Sequence, residues 1–157
     1  MIPQWRTIRH NFIISVYSSQ EAIDTDDGSA YYKTYENFFV YAANGLKSDF
    51  AGHSNRHYGN VYGYVGNCWG DGDSNWFVNN TCITQESAGG FRSDCQSSTQ
   101  LLHSHPKPTG MKITGNSIYT ASGTLGNTKL CDKSNTVHKL PTDDEVIAMG
   151  KKVIGWV

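Results

Sequence analysis

No run of apolar residues in the 157-residue chain approaches the roughly 20 needed to span a bilayer, so no membrane insertion is expected. The opening, Met1-Ile2-Pro3-Gln4-Trp5-Arg6, lacks the apolar stretch of a secretory leader. An excess of one charge is missing too. With 13 Lys and Arg against 14 Asp and Glu, the formal net charge is −1, so bulk charge argues for neither a polyanion nor a membrane surface, and nucleic acid is not an expected partner. The four cysteines include no CxxC pair, which removes the close-spaced zinc patterns. No phosphate loop, nucleophile elbow or dinucleotide fingerprint occurs, so the usual nucleotide and serine-nucleophile signatures give no assignment.

What is present is a repeat. The stretch Asn37 to His53 joins an asparagine that opens a short apolar strand to a second short strand carrying Lys47 and Asp49. The asparagine half returns at Asn11, Asn60, Asn80 and Asn116, each followed by strand-forming residues. The second half returns at Ala22 to Asp26, Cys68 to Gly72 and Gly90 to Asp94. The asparagines step by 26, 23, 20 and 36 residues (37 − 11, 60 − 37, 80 − 60, 116 − 80), a spacing expected of a solenoid whose turns bury their apolar faces only against neighbouring turns. Sixteen glycines and a 12% aromatic content fit many short strands and tight turns.

These five ordered copies resemble the coils of the right-handed parallel β-helix in the pectate-lyase-like superfamily, over roughly residues 5 to 120. The resemblance implies an all-β fold: a right-handed parallel β-helix of about five coils, here followed by a short C-terminal α-helix. An inward asparagine at each coil corner would bond to the next coil's asparagine and to the corner backbone, which satisfies a polar group that is otherwise costly to bury. Strand alternation then sends the residue two after each asparagine inward, giving a stack of Ile13, Phe39, Tyr62, Cys82 and Ile118.

In chain order, the coils run over residues 6 to 34, 36 to 58, 60 to 78 and 80 to about 114, within a solenoid region spanning 1–132. Asp26-Asp27-Gly28-Ser29 reads as a turn, and Gln96 to Gly110, with two prolines, as a loop. Because a first coil would leave a bare sheet edge, the chain is expected to be the C-terminal part of a longer solenoid. The remainder, 133–157, is a tail with a helix: Thr142-Asp143-Asp144-Glu145 fits a capping box, Lys151 and Lys152 suit the last turn, and Gly155 ends it. Val146, Ile147, Gly150, Val153 and Ile154 share one face, which is expected to pack on the solenoid's end or side. Cys68, Cys82, Cys95 and Cys131 allow three pairings between them, and with the sequon Asn79-Asn80-Thr81 they favour an extracellular or cell-surface protein.

Aligning the second strands on Ile23, Leu46, Trp69 and Phe91 places Asp24, Lys47, Gly70 and Arg92 in one outward column and Asp26, Asp49, Gly72 and Asp94 in the next. Such a face suits a polysaccharide. Uronate or sulfate groups would pair with Lys47 and Arg92, with Asp24 and Asp94 beside them; Trp69 or Trp76 would stack on sugar faces, and Asp26 and Asp49 would hold calcium. At a coil spacing of about 4.8 Å, neighbouring carboxylates stand near retaining-glycosidase separation, and pairs across the glycine coil nearer the inverting one. The resemblance further implies a lyase role, removal of the proton α to a cation-neutralised uronate carboxyl, for Lys47 or Arg92. His53 and His57 add groups that titrate near neutral pH. The candidate catalytic set is thus Lys47, Asp49, Arg92 and His53. The plainer reading of Asp24 with Lys47 is a solvated cross-strand pair worth under about 1 kcal/mol. The paired-aspartate signatures of polygalacturonases and the arginine motifs of pectate lyases are missing. The expectation is therefore glycan recognition, with polysaccharide lyase or glycoside hydrolase activity left open and a structural or adhesive surface repeat as the alternative.

Overall fold

The structure, a computed structural model, describes residues 3–14, 21–48, 52–66, 68, 74–84, 110–125 and 132–156. In chain order the strands are β1 (Arg6–Arg9), β2 (Phe12–Ile14), β3 (Glu21–Asp24), β4 (Tyr32–Tyr35), β5 (Phe38–Val40), β6 (Asn44–Lys47) and β7 (Arg56–Tyr58). They continue with β8 (Val61–Val65), β9 (Trp76–Val78), β10 (Thr81–Thr84), β11 (Lys112–Thr114), β12 (Ser117–Thr120) and β13 (Thr136–Lys139), and α1 (Asp143–Ile154) follows. All the pairings between these strands are parallel. One sheet has the order β1-β4-β7-β9-β11, a second β13-β12-β10-β8-β5-β2, and β3 pairs with β6. This is a parallel β-solenoid with one short C-terminal helix, as the repeat predicts.

The asparagines explain why the coils stack in register. Asn11, Asn37, Asn60 and Asn80 each donate a backbone N–H and an Nδ2–H to the Oδ1 of the next coil's asparagine, at 2.9 to 3.3 Å, and Asn116 does the same to Asn135. Nδ2 also reaches across to the five-stranded sheet, donating from Asn60 to Thr34 O, from Asn80 to His57 O and from Asn116 to Phe77 O. Five buried amides are therefore satisfied, and the two large sheets are tied at their shared corner. The residue before each of the first five asparagines, His10, Glu36, Gly59, Asn79 and Gly115, has φ between 53 and 68°, the left-handed turn that bends one strand into the next. At Gly115 only glycine fits, because a Cβ would fall on Asn79 Oδ1.

The inner stack is as expected: Ile13, Phe39, Tyr62, Cys82 and Ile118 lie in register along the six-stranded sheet, and Val137 extends it. Facing it, the five-stranded sheet contributes Ile8, Thr34, His57, Phe77 and Ile113. Cys82 is covalently joined to Cys68, with a Cα–Cα distance of 5.9 Å; Cys95 and Cys131 lie outside the described residues. The Asp26 to Ser29 turn is present, closed by Ser29 N–H donating to Asp26 O at 2.7 Å with Asp27 and Gly28 both at positive φ. Two further features went unread in the sequence. Asn135 makes a sixth rung, placing β13 of the solenoid within the tail segment 133–157. A second ladder occupies the next corner, where Asn55 N–H donates to Asn75 Oδ1 at 2.8 Å and Tyr32 N–H to Asn55 Oδ1 at 3.1 Å.

α1 carries the expected capping box, with Glu145 N–H donating to Thr142 Oγ1 and Thr142 N–H to Glu145 Oε2, and it ends on Gly155 at φ 77°. It packs on the side of the solenoid: Val146 and Ile154 are buried against Phe38, Val40, Val61 and Ile83 on the outer face of the six-stranded sheet. Gly150 is the point of closest approach, since a Cβ there would fall 2.2 Å from the Phe38 ring. Ile147, expected on the packing face, is 47% exposed at the edge of that contact.

Candidate functional site

The solenoid's outer surface differs sharply between sheets, and alternation decides how. In the five-stranded sheet the residue three before each ladder asparagine points inward, so the residues four and two before it point out. One outward column reads Thr7, Lys33, Arg56, Trp76, Lys112; the other reads Arg9, Tyr35, Tyr58, Val78, Thr114. These five strands hold five of the chain's 13 Lys and Arg, counting Arg6 at the corner, and no Asp or Glu. A chain of nearly zero net charge has therefore concentrated cations on one face.

Aromatic rings hold those cations in place. The Arg56 guanidinium carbon lies 4.5 Å from the centre of the Trp5 ring and 4.2 Å from that of Trp76. Lys33 Nζ lies 4.9 Å over Trp5, Lys112 Nζ 4.9 Å over Trp76, and Arg6 5.4 Å over Tyr32. In the adjacent column Tyr35 and Tyr58 stack at 4.8 Å, almost parallel, and Arg9 Nη1 donates to Tyr35 Oη at 3.4 Å. Burial, then Tyr35 and the Glu36 carboxylate, push the Tyr58 phenol up against the opposing pull of Arg56. Glu36 itself bonds His10 at 2.7 Å at the corner. A depression of about 280 Å³ opens on this face, lined by Lys33, Arg56, Tyr58, Trp76 and Lys112 among others. A second, of about 460 Å³, lies between α1 and the ladder corner. Glu36 and Lys152 both line it, so its charge is mixed.

The residues singled out from sequence fall in several places. The alignment of the second strands holds where it is described: Ile23 pairs with Leu46 and Asp24 with Lys47 on β3 and β6, and Asp24 is exposed. Asp26 lies in the turn beyond β3. Asp49, Trp69, Arg92 and Asp94 lie outside the described residues. Trp76 sits on the five-stranded sheet, a different sheet from Asp24 and Lys47. His53 bridges Ala30 and stacks edge-on against Tyr31, with its Nδ1 3.1 Å from Ser54 Oγ. His57 is no surface acid or base. It is fully buried in the inner stack, where burial drives its imidazole down to about 3 and leaves it neutral. Among the described residues, no three His, Cys, Asp or Glu side chains gather where they could hold a cation.

Sequence reasoning missed Lys33, Arg56 and Lys112. The signal was available, because these residues stand four before Asn37, Asn60 and Asn116, but it appears only once the strand preceding each asparagine is aligned as well as the strand following it.

No protein-family model, curated protein or solved structure matches the chain. Among the described residues, no helix is long and apolar enough to cross a membrane.

Proposed function

We propose that this is an extracellular solenoid that recognises an acidic polysaccharide on the outer face of its five-stranded sheet. One observation carries the reading: five cations and no carboxylate on the strands of one sheet, four of them over the rings of Trp5, Tyr32 and Trp76. Coils about 4.8 Å apart repeat a cation-bearing position along the solenoid axis, a geometry suited to a polymer lying across the strands with anionic groups at intervals. The Cys68–Cys82 disulfide supports an oxidising compartment. The asparagine ladder supports a kinship with the right-handed pectate-lyase-like solenoids. Lys47, in register with Asp24 on the two-stranded sheet, remains the base to test for chain cleavage.

The test is titration with polygalacturonate, dextran sulfate, neutral dextran and single-stranded DNA at low and high salt, with product analysis for unsaturated and reducing ends. The anionic glycans should bind, more weakly at high salt, and Lys33→Ala with Lys112→Ala should weaken them further while dextran does not bind. Equal binding of neutral dextran, tighter binding of DNA, or no glycan binding by folded protein would overturn the reading. The last result favours a structural solenoid.

A further inference from the structure

Arg56 differs from the other cations on this face. Lys33 and Lys112 each place an ammonium over one indole, whereas the Arg56 guanidinium carbon lies near two, 4.5 Å from the centre of Trp5 and 4.2 Å from that of Trp76. Trp5 precedes β1 and Trp76 belongs to β9, so the rings approach from opposite directions along the sheet order β1-β4-β7-β9. Two indoles this close to the guanidinium carbon restrict the positions it can take. A guanidinium carries five N–H donors in its plane. No carboxylate occurs on these strands to occupy them, and Arg56 lines the 280 Å³ depression between Lys33 and Lys112.

We infer that Arg56, clamped by Trp5 and Trp76, is the selecting subsite of this face: a preorganised fork that takes two oxygens of one carboxylate or sulfate group on a sugar, with Lys33 and Lys112 supplying charge for the neighbouring anionic groups. The inference rests on the acidic-polysaccharide reading and adds which residue selects and by what geometry. A guanidinium fork matches a two-oxygen anion bidentately, which an ammonium of equal charge does not. Stacking on indole keeps that fork desolvated and oriented before the ligand arrives, so less freedom is lost on binding. Trp76 then acts as a positioning residue that holds the cations.

The decisive comparison is Arg56→Lys, which keeps the charge, against wild type and Lys33→Ala. Each is titrated with polygalacturonate and with dextran sulfate, following tryptophan fluorescence and, independently, calorimetry. Thermal melts establish that each variant is folded. The fork predicts an affinity loss on the order of tenfold for Arg56→Lys, a smaller loss for Lys33→Ala, and a fluorescence change on binding that Trp76→Leu diminishes. The polymer showing the larger Arg56→Lys loss identifies the group as carboxylate or sulfate. If wild type binds and Arg56→Lys binds within about twofold of it, the face acts as a field of charge, and the fork is overturned while the polysaccharide reading stands. If wild type binds neither polymer, both fall together.

Discussion

The side-chain oxygen of Asn80 accepts two hydrogen bonds from Asn60, one from its backbone N–H at 2.9 Å and one from its Nδ2 at 3.0 Å. Both residues are buried. Asn80→Ala removes the acceptor and leaves two donors in the interior, a loss expected to cost on the order of 3 kcal/mol. Asn11 ends the ladder at the exposed coil, and Asn11→Ala should cost under about 1 kcal/mol because water can replace what is lost. Urea titration of the two variants checks the contrast. Equal losses would mean that the ladder does not set the stacking energy.

His57 predicts a dependence on pH. Its folded-state value is depressed to about 3 from an ordinary 6.5 by burial, so between these values the unfolded chain binds a proton that the folded chain does not. Its contribution to stability is complete above pH 6.5, declines as the pH falls and levels off below about 3, and amounts to roughly 5 kcal/mol over the full span. His57→Phe keeps a ring of similar size in the inner stack and removes two ring nitrogens that have no hydrogen-bond partner there. Stability measured from pH 7 to 4 should fall more steeply in wild type than in this variant.

Gly150 tests how α1 is seated. Alanine is the better helix former by about 1 kcal/mol, yet a Cβ at this position falls 2.2 Å from the Phe38 ring. Gly150→Ala should therefore destabilise by about 1 to 3 kcal/mol through overpacking and should raise hydrogen exchange in α1 before the solenoid strands.

The Cys68–Cys82 bridge closes a loop across a sequence separation of 14 and lies wholly within the core. A closed loop of about this size contributes about 3 kcal/mol by restricting the unfolded chain. Replacing both cysteines with alanine should lower the urea midpoint accordingly, and reductant should lower the midpoint of wild type by more than that of the double variant.

The sequence alone determined the coil and its order. Asparagines each followed by an apolar strand specify a corner and an inner stack, because a buried amide must be satisfied by the next coil and because strand alternation fixes which residues share a face. The Thr142 to Glu145 capping box likewise announced α1, since its hydrogen bonds are local. What the tertiary structure decided was which outer face matters and which residues meet on it. Lys33, Arg56, Trp76 and Lys112 are separated by 20 to 36 residues (56 − 33 is 23, 76 − 56 is 20, 112 − 76 is 36) and become a column only when the strands that precede the asparagines stack in register. Trp5 reaches Arg56 across an intervening strand, a contact that no spacing encodes. His57 shows the same limit in reverse. In the sequence it lies within a histidine-rich surface-like run, but its parity within β7 turns it inward, where burial removes its charge. Local hydrogen bonding and periodicity can be read along one strand, whereas electrostatics and burial depend on neighbours that only stacking of the coils supplies.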